Sequence, residues 1–157
     1  MLFSKKKSVL LAVADGEVLP LSQVEDEAFS SGMLGRGIAI KPSSGSIYSP
    51  ADVTVVGIAE SGHAYTLESA DGLELLIHIG IDTVGLGGKG FLPMVGEGDT
   101  VKAGELLCRV DLQAIRDAGL STVIPFLITN PEITKELKPT QAASAIGGQS
   151  VILEYRL

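Results

Sequence analysis

The chain has 157 residues, of which 45% are hydrophobic, which suits one domain with a buried core and is too apolar for a disordered chain. Its 12 basic and 19 acidic residues give a formal charge of −7, which argues against nucleic acid as a partner, since nucleic-acid binding needs a cationic surface. The single cysteine, Cys108, excludes an intrachain disulfide.

Residues 1–8 are predicted to form a short flexible lead to a single domain that spans residues 9–157. Lys5–Lys7 precede the apolar run Val9–Ala14, an order that signal peptides share. The run has only six residues, however, and leads directly into strand-like sequence, so we interpret it as the first strand. No segment reaches the length of a membrane span, and we therefore expect a cytoplasmic protein without stable membrane insertion.

Short segments of strand-like sequence recur along the chain, separated by turns that contain glycine or proline. Helix is scarce: the best candidate is residues 111–118, with Asp111 as N-cap and Gly119 after the last turn. Residues 130–138 are expected to form another short turn, because Pro131 suits a first helical position. The pattern predicts an all-β fold, an antiparallel β-sandwich or barrel-like domain with tight turns and one or two short helices. The predicted strands are Val9–Ala14, Gly37–Lys41, Val53–Ala59, His63–Ser69, Leu73–Gly80, Val101, Leu106–Val110, Thr122–Ile128 and Val151–Tyr155.

The chain has two histidines, His63 and His78, and they lie on consecutive predicted strands. Asp71-Gly72 between these strands is a strong signal for a two-residue hairpin turn. In that register His78 pairs with Tyr65 and His63 with Gly80, so the imidazoles are diagonal neighbours on one face, with Cβ atoms about 7–8 Å apart. A slip of one residue would send the rings to opposite faces. Because Gly80 has no side chain, we also expect open space beside His63 for a tetrahedral oxyanion.

Two imidazoles on one face suit two kinds of chemistry. A neutral imidazole is a competent nucleophile near pH 7, because its unperturbed pKa is about 6.5, and its attack on phosphorus gives a reactive phosphoramidate. The second imidazole can donate a hydrogen bond to the phosphoryl oxygens, and Ser61, two residues before His63, adds a hydroxyl to the same face. The alternative is a metal site with Asp82 as a third ligand, since catalytic zinc needs three protein ligands. The residues alone leave both interpretations open.

Residues 72–84, which read GLELLIHIGIDTV, resemble the active-site signature of the glucose-type IIA domains of the bacterial phosphoenolpyruvate-dependent sugar phosphotransferase system. Every position fits the family pattern of apolar residues followed by His, apolar, Gly, apolar, Asp, Thr and Val. The segment Ser61–Ala64 resembles the family's Thr-x-His-Ala, with Ser in place of Thr. The resemblance runs from about Val9 to the C-terminus and includes Val18–Phe29, Gly35–Pro42, Leu86–Phe91 and Gly98–Gly104.

This resemblance implies a phosphoryl carrier, that is, a protein-histidine phosphotransferase of sugar uptake. His78 would be phosphorylated by phospho-HPr and would donate to the cysteine of a IIB domain, which works with a IIC component. His63 would assist by hydrogen bonding to the phosphate, Ser61 would take the place of the family's Thr, and neither a cofactor nor an intrinsic metal would be required. The implied docking surface for the partner proteins consists of Phe29, Leu76, Ile79, Val84, Asp26 and Asp82.

Two other functions stay open. The first is a zinc hydrolase of related β architecture, which is the less favoured because the His-x-His ligand pair of lysostaphin-type peptidases is absent from this sequence. The second is a regulatory binding protein whose docking face inhibits transporters or kinases according to its phosphorylation. In that role His63 and His78 could take part in a zinc site that is bridged to a partner.

Overall fold

A computed structural model gives the fold of residues 7–157. Residues 1–6, which include most of the predicted lead with Lys5 and Lys6, lie outside the described part. The ammonium group of Lys7 forms a partly exposed ion pair with Glu154, at 2.9 Å. No helix within residues 7–157 is long and apolar enough to cross a bilayer.

Antiparallel strands are the main secondary structure of residues 7–157, and only two short α-helices interrupt them, so the predicted all-β fold is confirmed. The helices are α1 (Glu27–Ser30) and α2 (Leu112–Asp117), and 3₁₀ turns span Leu21–Gln23, Thr83–Leu86 and Pro131–Ile133. The strands are β1 (Ser8–Leu11), β2 (Gly16–Pro20), β3 (Arg36–Pro42), β4 (Ser46–Tyr48), β5 (Val53–Ile58), β6 (Ala64–Ser69), β7 (Glu74–His78), β8 (Phe91–Pro93), β9 (Thr100–Val101), β10 (Leu106–Val110), β11 (Ile124–Ile128), β12 (Glu136–Pro139), β13 (Ser144–Ala145) and β14 (Val151–Arg156).

The predicted helix and the predicted short turn each have a counterpart in the structure. The helix predicted at residues 111–118 is α2, and the Asp111 carboxylate accepts hydrogen bonds from the amides of Gln113 and Ala114, as expected for an N-cap. The short turn predicted within residues 130–138 is the 3₁₀ turn Pro131–Ile133, after which β12 begins. Strands β2, β4, β8, β12 and β13 were not predicted. The residues of β2, β8 and β12 are half-buried or exposed and show no alternating apolar face, and β4 and β13 have only three and two residues, too few for a periodic pattern.

Three sheets surround one main core. The large sheet has the strand order β13-β2-β3-β11-β7-β6-β5-β9, and two three-stranded sheets have the orders β1-β14-β12 and β4-β10-β8. The core draws on all three sheets, through residues such as Leu10, Ile47 and Phe126. Each such side chain is fully buried, which contributes roughly 1.5–3 kcal/mol relative to an exposed position.

A second, smaller cluster covers the opposite face of the large sheet at β3, β11 and β7. The segment 21–29 supplies Phe29 and other apolar side chains, which pack against Leu127 on β11 and, at the edge of the cluster, Leu76 on β7. Strand β11 therefore has apolar cover on both faces, and all five of its residues are buried. This second cluster is the surface beneath the candidate site. Its buried members are Leu21, Val24, Phe29, Ala39, Ile81 and Leu127.

The β6–β7 hairpin closes through a three-residue loop, so the predicted two-residue turn is wrong. The Ser69 amide donates to the Leu73 carbonyl at 2.9 Å, and Gly72 has φ 96°, whereas Asp71 does not have positive φ. A turn of this kind needs only one left-handed residue, which Gly72 provides at low cost. The Ser69 hydroxyl also accepts from the Leu73 amide at 3.0 Å, which stabilises the longer loop.

This loop shifts the pairing by one residue from the predicted register. His78 pairs with Ala64, where Tyr65 was predicted, and Tyr65 pairs with Ile77. The predicted division of β7 into two faces is nevertheless confirmed, since Leu73, Leu75, Ile77 and Ile79 are all fully buried in the main core.

Candidate functional site

His78 is the last residue of β7 and lies on the same face of the strand as Leu76, over the second cluster. Its ring contacts Phe29 of α1, with ring centroids 5.1 Å apart and an interplanar angle of 56°. α1 is held in place by the Asp26 carboxylate, which caps it by accepting from the Ala28 amide at 2.9 Å. The short helix therefore forms one wall of the site.

His63 lies just before β6, beside the end of β7. Its carbonyl accepts a hydrogen bond from the Ile79 amide at 2.7 Å. In a regular hairpin of the observed register, His63 and His78 would point to opposite faces. The rings are nevertheless edge to face with centroids 5.0 Å apart, because His63 precedes the strand and follows Gly62, whose left-handed backbone (φ 76°) ends the regular alternation.

The space that was predicted at Gly80 is filled. A Cβ atom on Gly80 would lie 2.4 Å from Thr83 Cγ2 and 2.9 Å from the Ser121 carbonyl oxygen. The predicted oxyanion space beside Gly80 is therefore wrong, and it followed from the wrong register. Gly80 contributes its carbonyl instead, which lies 2.7 Å from Nδ1 of His78.

The hydrogen bond between His78 and Gly80 determines the tautomer of His78. A carbonyl oxygen can only accept, so Nδ1 of His78 carries the proton, and in the neutral ring Nε2 has a free lone pair. Nδ1 of His63 instead hydrogen-bonds the Ser61 hydroxyl, a group that can both donate and accept. The structure thus places the Ser61 hydroxyl against the His63 ring.

Burial lowers the pKa of both imidazoles. For His78 burial is the largest effect, and it is opposed by the hydrogen bond to the Gly80 carbonyl and by the carboxylates of Asp26 and Asp82, which favour the cation. For His63 burial is again the largest cause of the lowered pKa, and repulsion from His78 lowers the pKa further. Both rings are therefore neutral at pH 7, which is the form in which imidazole is a nucleophile.

The four apolar residues of the predicted docking surface occupy different environments. Ile79 is fully buried in the main core and Phe29 is only 5% exposed, so neither offers contact area to a partner, and their prediction as surface residues is wrong. Ile79 points inward because it continues the buried face of β7, and Phe29 packs into the second cluster. Leu76 is half-buried, and Val84 is 63% exposed.

The two predicted acidic residues lie near the imidazoles and act on His78 electrostatically. Asp26 is half-buried at the start of α1, and Asp82 is exposed at the start of the 3₁₀ turn Thr83–Leu86. Within residues 7–157, Asp82 is the one residue other than glycine with positive φ, at 61°. A left-handed residue of this kind is uncommon, and such conformations cluster at functional sites.

The sequence did not reveal one group of the site or one stretch of exposed apolar residues that follows α1 in the chain. The Gly80 carbonyl is a backbone group, which no side-chain pattern can indicate. Met33 and Leu34, which follow α1, are 76% and 41% exposed and add apolar surface beyond Phe29. The sequence did contain a signal for this exposed surface, since Met33 and Leu34 are two consecutive apolar residues between Gly32 and Gly35.

No three His, Cys, Asp or Glu side chains in the described part of the chain lie together as metal ligands. In this structure Asp82 therefore does not complete a three-ligand site with His63 and His78. The arrangement fits nucleophilic chemistry by one imidazole with a second imidazole beside it.

Residues 8–134 match the family described as the phosphoenolpyruvate-dependent sugar phosphotransferase system, EIIA 1. The chain belongs to this family. An EIIA 1 domain is a phosphotransferase, and this protein carries a phosphoryl group in sugar uptake.

Individual relatives agree with this assignment. The chain is 36% identical over 149 residues to the "PTS system glucose-specific EIIA component" of Oceanobacillus iheyensis, covering 95% of this chain and 90% of that protein. It is 45% identical over 134 residues to the "PTS system beta-glucoside-specific EIIBCA component" of Dickeya chrysanthemi, covering 85% of this chain but only 21% of that much longer protein, in which IIA is joined to IIB and IIC.

A solved structure shows the same fold. The glucose permease IIA from Mycoplasma capricolum superposes with a TM-score of 0.86 at 33% sequence identity, and the match covers 98% of this chain and 99% of that one. The EIIA fold therefore extends across the described domain, including the strands that the sequence did not predict.

Proposed function

We propose that His78 is the phosphoryl-accepting residue of this EIIA protein, that phospho-HPr is the donor, and that the cysteine of a IIB domain is the acceptor. The observation that carries the proposal is the hydrogen bond of 2.7 Å between Nδ1 of His78 and the Gly80 carbonyl. It keeps the proton on Nδ1 and leaves the lone pair of Nε2 free for attack.

In the first step the Nε2 lone pair of His78 forms a bond to the phosphorus atom of phospho-HPr while the bond from phosphorus to HPr breaks. HPr leaves with the electron pair of that bond, and His78 becomes a phosphoramidate. In the second step a cysteine thiolate of IIB attacks the same phosphorus atom. The P–N bond then breaks, and its electron pair returns to Nε2.

His63 is proposed to donate a hydrogen bond to the phosphoryl oxygens in both steps and, in the second step, also to exchange a proton with the phosphoryl group as the P–N bond breaks. When the Ser61 hydroxyl donates to Nδ1 of His63, the proton of the neutral ring is on Nε2 and is available to the phosphoryl group. Its ring centroid lies 5.0 Å from that of His78, close enough for a hydrogen bond to a group attached to the His78 ring. A preorganised donor of this kind contributes on the order of 10²–10³ in rate.

The partner proteins are proposed to dock on the exposed apolar residues around the two rings. Val84, two residues after Asp82, supplies exposed apolar surface, and Asp26 and Asp82 supply negative charge. Partners of the IIB and IIC type are supported by the Dickeya relative, in which the three components are joined. We place the reaction in the cytoplasm, and it needs neither a metal nor an organic cofactor, because the imidazole itself carries the phosphoryl group.

The test is to mix the protein with phosphoenolpyruvate, Enzyme I and HPr, and then to add a IIB domain. Wild type is compared with His78→Ala and His63→Gln. Since the chain has only these two histidines, each variant is the control for the other. Protein-bound acid-labile phosphate measures the first step, and phosphate transferred to IIB measures the second.

We expect His78→Ala to take up no acid-labile phosphate. His63→Gln is expected to be labelled but to deliver to IIB on the order of a hundredfold more slowly, because Gln can donate a hydrogen bond but cannot exchange a proton as imidazole does. Full labelling of His78→Ala would show that His78 is not the acceptor.

A further inference from the structure

The segment 79–83 holds the Gly80 carbonyl against His78, and three hydrogen bonds fix this segment. The Ile79 amide donates to the His63 carbonyl at 2.7 Å, and the Ile81 amide donates to the Ser121 carbonyl at 3.0 Å. The third bond comes from Thr83, whose Oγ1 donates to the Ile79 carbonyl at 2.6 Å. Because Gly80 has a left-handed backbone (φ 79°), its carbonyl direction depends on how the segment is held on both sides.

Thr83 is a fully buried polar residue, and both arms of its side chain touch this segment. Its hydroxyl bonds the Ile79 carbonyl, which closes the segment into a turn. Its methyl group packs beside Gly80, where a Cβ atom would come within 2.4 Å of it. Gly80 therefore has little freedom to move while Thr83 is present.

We propose that Thr83 is a positioning residue for His78. By holding the Gly80 carbonyl in place, Thr83 keeps the His78 ring in the tautomer with its proton on Nδ1. Thr83 does not touch the reacting atoms and acts through the backbone of residues 79 and 80. The consequence for phosphoryl transfer rests on the proposed function, in which Nε2 of His78 is the attacking atom.

Phosphoryl transfer depends on the Gly80 carbonyl because this group determines which nitrogen of His78 carries the proton. If the carbonyl moves away, Nδ1 loses the acceptor that favours its protonation, and the proton can instead reside on Nε2. A protonated Nε2 in the neutral ring has no lone pair in the ring plane and cannot attack phosphorus. The rate would then fall in proportion to the fraction of His78 in the wrong tautomer.

The experiment separates the two arms of Thr83. Thr83→Val keeps the packing beside Gly80 but removes the hydroxyl, and Thr83→Ser keeps the hydroxyl but removes the methyl group. The ¹⁵N chemical shifts of the His78 ring, measured at pH 8 where the ring is neutral, report which nitrogen carries the proton. The rate of labelling by phospho-HPr is measured on the same samples.

A matched control is Ser49→Ala. Ser49 is also fully buried, and its hydroxyl donates to a nearby backbone carbonyl, that of Ala51, at 2.7 Å. Its amide donates to the Glu105 carbonyl and its carbonyl accepts from the Gly104 amide, so none of its hydrogen bonds in the described structure involves the two histidines or the segment 79–83. The control therefore removes a comparable hydrogen bond without changing the site.

We expect Thr83→Val to shift His78 toward the tautomer with the proton on Nε2 and to slow labelling by up to about tenfold, the effect of one lost hydrogen bond. Thr83→Ser should keep the wild-type ¹⁵N shifts of His78 and a labelling rate within about twofold of wild type. Ser49→Ala should keep the wild-type shifts and the wild-type labelling rate. Unchanged His78 shifts in folded Thr83→Val, or equal changes in Thr83→Val and Ser49→Ala, would overturn the proposal.

If Thr83→Val does not fold, Gly80→Ala provides the second test, because its Cβ would meet Thr83 and the Ser121 carbonyl and displace the segment. A wild-type tautomer in that variant would also overturn the proposal. The ¹⁵N measurement needs no partner protein, so it tests the positioning role even if His78 proves not to be the phosphoryl acceptor.

Discussion

The two histidines carry the same side chain, and the different roles proposed for them follow from the partner of each Nδ1 atom. His78 faces a carbonyl, which can only accept, whereas His63 faces the Ser61 hydroxyl, which can also donate. The first contact leaves Nε2 of His78 unprotonated, and the second allows a proton on Nε2 of His63. One ring is thus suited to attack and the other to donation.

The charge of Asp26 can be separated from its structural role. Asp26→Asn keeps an oxygen that can accept from the Ala28 amide, so α1 should remain capped. Because the carboxylate raises the pKa of His78 against the larger effect of burial, its removal is expected to lower that pKa further. As the pH falls, wild-type His78 should be protonated before the variant. An NMR titration of the His78 ring between pH 4 and 8 measures the difference.

Asp111→Asn is the matched control for this titration. Asp111 is also a helix N-cap, but it caps α2, and its charge does not contribute to the shift of the His78 pKa. We expect the His78 titration to be unchanged in this control. A higher His78 pKa in Asp26→Asn than in wild type would contradict the electrostatic account.

At the scale of elements, the β6–β7 hairpin shows what the sequence could and could not predict. The buried face of β7 was predictable, because Leu73, Leu75 and Ile77 alternate with a less apolar set, Glu74, Leu76 and His78. The pairing register of β6 and β7 was not predictable, since Asp71-Gly72 is compatible with both a two-residue turn and a loop in which Gly72 alone is left-handed. The proximity of the two rings was predicted, but the contact arises from the end of the strand and not from the predicted pairing.

The position of Phe29 could not be read from the sequence for a related reason. α1 has only four residues, which is too short for a periodic pattern, so the resemblance to the family located Phe29 near the site without its orientation. The structure shows that the short helix turns Phe29 inward onto the second cluster. The exposed apolar residues nearest to Phe29 in the chain are Met33 and Leu34.

The hairpin loop offers a direct test of the left-handed backbone at Gly72. Gly72 has φ 96°, a conformation that is costly for any other residue, and an added Cβ would have no neighbour within 4 Å. Gly72→Ala should therefore destabilise the protein by about 1 kcal/mol through backbone strain alone. Urea unfolding of the two proteins measures this difference in the free energy of unfolding.

Gly57→Ala is the control for this measurement. An added Cβ at Gly57 also has no neighbour within 4 Å, but Gly57 does not have a left-handed backbone. We expect its free energy of unfolding to stay within about 0.5 kcal/mol of wild type or to rise slightly. Equal losses in the two variants would argue that Gly72 is not a strained position.

At the scale of the whole molecule, the eight-stranded sheet explains how a small site can be rigid. Its middle strands have the main core on one face and the second cluster on the other, so the end of β7 is anchored from both sides. The neighbouring strand β11 pairs with β7 through Phe126, Leu127 and Ile128, all fully buried. His78 thus extends from a part of the sheet that has little freedom to move.

The net charge of the protein leads to a prediction about its encounter with partners. The formal charge is −7, and the carboxylates of Asp26 and Asp82 lie close enough to His78 to affect its pKa. If a donor protein presents a cationic surface, long-range attraction should speed association at low salt. We expect the second-order rate of His78 labelling by phospho-HPr to fall at least about threefold between 0.05 and 0.5 M NaCl, as the Debye length shortens.

Local and overall charge can be distinguished with the same measurement. The double variant Asp26→Asn with Asp82→Asn removes charge beside the site, whereas Asp111→Asn with Asp117→Asn removes the same charge from α2. If the field at the site steers the donor, the first variant should show a weaker salt dependence and the second should resemble wild type. A labelling rate that is independent of salt in all three proteins would show that apolar contact, not charge, governs the encounter.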